Sequence, residues 1–197
     1  MTRPPTPEER RPANQGPLAA ARNRAALIAA AREVYAAQGL DAPLSAIARR
    51  AGVGQGSLYR HFPDRAAVAA AVLEENVRQI ERAAAAEDAT FAGVLGVLTW
   101  HLTESAAFID LLRADGASTC RTEGRACALA LAGRVERAVA QSLPSGPRPA
   151  AAEEIMLAVA MVSGAVTGLT REERERRALA AWRLLGLDVG PVRPFEG

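Results

Sequence analysis

At 197 residues, 49% hydrophobic and 23% charged, the chain has room for one real core or two small ones and the composition of an ordinary globular protein. Its net charge of +2 says little as a total. Residues 1–65, however, hold 10 Arg against 5 acids, and residues 66–197 hold 14 Arg against 17, so a net +5 first third sits on a net −3 body. No run approaches the ~18 apolar residues of a membrane helix. The polar, proline-rich start lacks the apolar segment of a signal peptide. Cys120 and Cys127 match neither a disulfide framework nor a zinc spacing, which points to the reducing cytoplasm and to no metal or cofactor.

Alanine supplies 45 residues, and all 24 basic residues are Arg, a bias that a GC-rich genome explains without any functional demand. Alanine is the best helix former and β-branched and aromatic residues are sparse, so an all-α fold is expected. Residues 1–17, rich in proline and charge, read as a disordered arm. Its Arg3, Arg10 and Arg11 fit a solvated tail better than phosphate contacts.

The spacing of Leu27, Ile28, Ala31, Val34 and Tyr35 predicts a first helix from about Leu18 or Arg22 to Gln38, closed by Gly39. A second begins after Pro43, with Ser45 as a cap or first-turn hydroxyl and Ile47, Ala48 and Ala51 facing inward. Gly52 supplies a reversal with positive φ. Gln55, Gly56 and Ser57 then open a third helix whose buried residues are Leu58 and Phe62 and whose exposed ones are Tyr59, Arg60 and His61. Ala48, Gly52 and Leu58 fall at the spacing of a helix-turn-helix: a small residue, a turn glycine four later and an aliphatic residue six beyond it. Such a unit presents the start of its second helix to a DNA major groove. Gln and Arg there suit base edges, while Ser and Tyr suit phosphates.

Asp64 is a predicted N-cap for a fourth helix from Arg65 to about Ala86, with Val68, Val72, Leu73, Val77 and Ile80 on one side. After a polar break, helices are expected over Phe91–Ser105 and, separately, Phe108–Arg113. Further helices are expected over Arg121–Leu143 and Ala151–Val166, the latter apolar nearly all round. A last one, opened by a Thr170–Glu173 capping box, ends at Leu185 and Gly186. The residues from Asp188 read as a loose tail. His101 beside Trp100 fits a pocket wall and a satisfied core histidine equally well. No nucleophile elbow, phosphate loop or metal-binding His pair is present, so no enzyme is expected.

With those residues in view, residues 22–80 resemble the DNA-binding domain of the TetR (tetracycline-repressor-like) family of bacterial transcriptional regulators. The carrying segment is IARRAGVGQGSLYRHFPDR, in which an Ile-Ala helix precedes Ala-Gly-Val and then Leu-Tyr-x-His-Phe. The chain departs from the family in having Ala42-Pro43-Leu44 where a Thr is common. The resemblance implies an all-α protein with an N-terminal three-helix DNA-binding domain (18–64), a C-terminal helical ligand-binding and dimerisation domain (65–187), and a tail (188–197). It implies DNA contacts from Ser45, Gln55, Gly56, Ser57, Tyr59, Arg60, His61 and Arg65. It also implies a homodimer on a palindromic operator of double-stranded DNA, released by a small-molecule effector. Candidate effector-lining residues are Phe91, Trp100, His101, Phe108, Leu112, Cys127 and Met156, and the mild charge of the body suggests a neutral or lipophilic effector. The alternative is a helical protein that binds DNA without sequence preference, or that binds a ligand alone.

Overall fold

A computed structural model of the chain describes residues 16–39, 41–115, 121–143 and 152–196, with backbone alone for 106–115, 121–125, 127 and 152. Every regular element in them is an α-helix: α1 (Gly16–Gln38), α2 (Leu44–Ala51), α3 (Gln55–His61), α4 (Arg65–Ala85), α5 (Phe91–Asp115), α6 (Arg121–Ser142), α7 (Ala152–Ala165) and α8 (Arg171–Leu184). The fold is the expected one, an N-terminal helix-turn-helix carried on a larger helical body.

Two apolar cores divide the chain. The first joins Leu27, Ile28, Ala31, Val34 and Tyr35 of α1 to Ile47 and Ala48 of α2, Leu58 of α3, Phe62, and Val68 and Val72 of α4. The second begins with Ile80 and Ala83 of α4. It continues through Val94, Leu95 and Leu98 of α5, Val139 of α6, Ile155, Val159 and Val162 of α7, and Trp182 of α8. The handover between cores therefore lies inside α4, between Val72 and Ile80, and not at its start. One continuous helix belongs to both halves.

Helix ends follow local chemistry. Gly39 (φ 76°) and Gly52 (φ 66°) hold the left-handed conformation that closes α1 and α2, where a side chain would be strained. Asp64 Oδ1 accepts from the Ala67 N–H at 2.7 Å and opens α4. Thr170 Oγ1 accepts from the Glu173 N–H at 3.2 Å, but the Glu173 carboxylate turns back to the Leu169 N–H at 3.2 Å instead of completing the box at Thr170.

Three expectations change. Residues 1–15 lie outside the described residues, and α1 already begins at Gly16, where Pro17 in the first turn forfeits no helical bond. The break suggested between Ser105 and Phe108 is absent. α5 runs through it, because Ala106 and Ala107 favour helix and no Gly or Pro interrupts.

The residues after α8 are not loose. Leu187, Val189 and Phe195 pack on the second core, and the Gly190 N–H donates to the Ala92 carbonyl at 2.8 Å. The fit depends on glycine: a Cβ on Gly96 would lie 2.5 Å from the Pro191 carbonyl oxygen.

Candidate nucleic-acid interface

The α2–α3 unit is built from within. The Val53 N–H reaches back to the Ala48 carbonyl at 3.0 Å and the Gly52 N–H to Arg49 at 3.2 Å, a glycine-closed helix end that fixes where α3 departs. Leu58 (0% exposed) and Phe62 (3%) anchor α3 in the first core. The guanidinium of Arg24 lies over the Phe62 ring at 5.5 Å, pinning the end of α3 to α1.

With those anchors set, the opposite face is polar and open. Ser45, Gln55, Gly56, Tyr59 and Arg60 are exposed, and Ser57, His61 and Arg65 are half-buried. Ser45 is not the α2 cap, since Pro43 occupies that position without a side-chain bond, and its hydroxyl stands in the first turn. Among the described residues nothing lies within 4 Å of a Cβ built on Gly54 or Gly56, so the fold itself places no steric demand for glycine there.

Two arginines are already oriented. Arg60 donates from Nη2 to Ser57 Oγ at 2.8 Å, which holds its guanidinium along α3. Arg65 donates from Nη2 to the Asp41 carbonyl at 2.9 Å, and its Nη1 lies 3.9 Å from the Asp41 carboxylate. Arg65 thus belongs as much to the α1–α2 connection as to the outer face. Arg50 is neutralised by Glu33.

Behind this unit the effector-lining candidates are only partly brought together. His101 is 3% exposed and stands edge-on to Trp100, with ring centroids 4.8 Å apart at 83°. Neither ring nitrogen has a hydrogen-bond partner among the described residues. Burial, and secondarily the positive charge of Arg32, push its pKa down to about 3, so the ring is neutral at ordinary pH. Phe91 and Met156 are half-buried and pack on the second core. The side chains of Phe108, Leu112 and Cys127 lie outside the described residues, as does Cys120.

Sequence reasoning missed a polar junction between the two halves. Arg32 of α1 donates to Asn76 of α4, and Asn76 Nδ2 donates to Ser105 Oγ of α5 at 2.7 Å, a buried bond. A signal was available: Arg32 interrupts the stripe of Ile28 and Tyr35, and Asn76 interrupts that of Val72 and Ile80, each at helical spacing. A second tie joins α4 to α6, where Arg134 donates to both carboxylate oxygens of Glu81 at 2.8 and 2.6 Å and to Glu74 at 2.6 Å. That fork holds the Glu81 carboxyl below its usual range. Among the described residues no group of three or more His, Cys, Asp or Glu could hold a metal ion, and no helix is long and apolar enough to cross a membrane.

Known proteins carry the same architecture. Residues 27–72 match the description "Bacterial regulatory proteins, tetR family". A 59-residue stretch is 46% identical to the uncharacterized HTH-type transcriptional regulator TtgW of Pseudomonas putida. It takes in 29% of this chain and 44% of that protein, so the chain matches less than half of that relative's length. Among solved structures, a TetR transcriptional regulator from Streptomyces coelicolor is 28% identical over 84% of this chain and 98% of its own, with a TM-score of 0.54. GusR of Salmonella enterica shares the fold at 16% identity, over 87% of this chain and 95% of its own, with the same TM-score of 0.54. The matched family segment ends at Val72, where the first core ends.

Proposed function

The chain belongs to the tetR family of bacterial regulatory proteins, and from that premise we propose that it is a sequence-specific DNA-binding transcriptional regulator. In this reading it is a repressor that acts as a homodimer in the cytoplasm and is released by a small-molecule effector. The observation that carries the reading is the α2–α3 unit: an apolar inner face locked by Leu58 and Phe62, and an outer face of hydroxyl, amide, phenol and guanidinium groups. Gln55 and Arg60 supply base-edge chemistry, with Arg60 held in place by Ser57. Ser45, Ser57, Tyr59, His61 and Arg65 supply phosphate contacts, and bare Gly56 lets the α3 backbone approach the groove.

A seven-residue recognition helix touches too few base pairs for useful selectivity alone. Two copies about 34 Å apart, one helical turn, read a palindrome. The second copy has a surface to meet: Leu157 (63% exposed), Met161 (55%) and Gly164 follow one another along the outer face of α7, and Leu184 of α8 is 89% exposed. Large apolar groups at consecutive helical turns are the mark of an association face. An effector that prefers the arrangement in which the recognition helices are wrongly spaced weakens DNA binding by its differential affinity.

Selection of bound sites from random duplexes tests this reading. The expected product is an enriched palindrome with half-sites one turn apart, and Gln55→Ala should change the preferred bases. Equal retention of all sequences, undisturbed by Gln55→Ala, would favour the architectural alternative.

A further inference from the structure

The junction between α1, α4 and α5 carries polar groups that the described residues leave without partners. Arg32 spends Nη2 on Asn76, yet its Nε is buried and unbonded. The acids that act on Arg32 from a distance are committed elsewhere, Glu75 to Arg78 and Arg82, and Glu104 to Arg171. Both ring nitrogens of His101 and the Oε1 of Gln79 are likewise buried without a bond. The Asn76–Ser105 bond fixes the register of α4 against α5, which return on one another through the short 86–90 connection. One turn onward along α4 is Gln79, and one turn back along α5 is His101, so the two stand at one level beside Asn76.

A guanidinium whose buried Nε has no partner and whose nearby acids are paired elsewhere, beside an imidazole with no bonds, is costly, because those buried atoms lost water and gained no bond in return. The open positions describe what would satisfy them. Arg32 Nε–H and an imidazole N–H are donors suited to a planar anion, one guanidinium matches one negative charge, and Gln79 Oε1 accepts from a neighbouring donor. We propose that this junction binds a small molecule through its carboxylate, which supplies the counter-ion that Arg32 lacks and a hydrogen bond to His101. This deepens the effector reading above and rests on it. The local unpaired cation outweighs the mild average charge that suggested a neutral effector. A carboxylate that takes Nε and Nη2 of Arg32 together competes with Asn76 for Nη2 and so loosens the tie between the DNA-reading half and the body.

The test uses the full-length protein labelled with nitrogen-15, without DNA. Its two histidines, His61 and His101, give separate ring signals. Sodium acetate and sodium benzoate are titrated against sodium chloride at equal ionic strength and pH. The expected result is a saturable shift of the His101 ring nitrogens and the Arg32 Nε–H with at least one carboxylate, without a matching shift at His61. Arg32→Gln should weaken the His101 response by about tenfold or more. Should Arg32→Gln unfold, His101→Gln is read through the Arg32 Nε–H instead, and the same loss is expected. No saturable response to either carboxylate, or one unaltered by both substitutions, overturns the proposal. DNA binding by the same preparation is measured separately, so failure here is distinguishable from failure of the regulator reading.

Discussion

His101 makes the body of the protein sensitive to mild acid, beginning at a pH above the ordinary carboxylate range. Its native pKa is pushed down to about 3 from 6.5, first by burial and then by Arg32. The folded ring stays neutral while the unfolded one takes up a proton below pH 6.5. Stability from this residue is therefore complete above about pH 6.5 and is lost as pH falls toward 3. Between pH 8 and pH 5 the loss comes to about 2 kcal/mol, which at an m-value of about 2 kcal/mol per molar moves the urea midpoint by about 1 M. The Glu81 carboxyl, held below its usual range by Arg134, contributes at lower pH, where falling pH protonates it and removes the pair. Urea unfolding of wild type and His101→Leu at pH 8 and pH 5, at one protein concentration, isolates the effect. His61 is kept in both proteins and cancels. A difference of about 2 kcal/mol in pH dependence is expected, and equal dependence would refute the neutral buried imidazole.

Other positions make separate demands. Arg65→Ala should weaken binding to every duplex and reduce the slope of log K against log salt by about 1; an unchanged slope removes Arg65 from the phosphate contacts. Leu157→Arg with Met161→Arg should turn a dimer into a monomer in sedimentation, while the helical circular dichroism is kept. Gly52→Ala, forced to keep φ near 66°, should cost about 1 kcal/mol in chemical unfolding. Gly96→Val drives a side chain into the Pro191 carbonyl, and a cost of about 1–3 kcal/mol is expected from a lifted C-terminal strap. An undiminished melting temperature would mean that the strap is not held there.

The DNA-reading half was legible in the sequence because its determinants are local. Gly39 and Gly52 announce positive φ, Asp64 announces a helix start, and the Ala48, Gly52 and Leu58 spacing announces a helix-turn-helix. All of them stand where that pattern places them. The missed features are long-range. The strap of Leu187, Val189 and Phe195 depends on glycines at Gly96 and Gly190 that meet only in space, about a hundred residues apart. Proline and glycine after Leu187 signal the end of a helix but not whether the chain then packs. The Arg32–Asn76–Ser105 junction was visible only as two polar residues inside apolar stripes, and a stripe does not name its partner helix. No Gly or Pro marks the break expected between Ser105 and Phe108, and alanine continues a helix without needing a partner, so α5 runs on.

The position of Asn76 gives the junction mechanical leverage. α4 has 21 residues, about 31 Å at 1.5 Å per residue. Its first turns are fixed in one core by Val68 and Val72 and its last turns in the other by Ile80 and Ala83. A tilt of about 10° pivoting at the far end moves Arg65 and the attached α3 by about 5 Å, more than the ~3.4 Å rise between base pairs. In a dimer both recognition helices move, so a small rotation is enough to spoil a one-turn spacing. Asn76 stands between the two anchored ends and is the point where α1 and α5 both grip α4. Loosening Arg32 from Asn76 removes the polar tie between α4 and α1 where the first core gives way to the second, whereas the Arg134 fork to Glu74 and Glu81 keeps α4 with the body. The break therefore falls between the DNA-reading half and the rest. Asn76→Leu, which fills the same space but cannot bridge Arg32 to Ser105, should weaken operator binding while leaving dimerisation intact. Unchanged operator affinity in a gel-shift assay would show that the junction does not set the spacing.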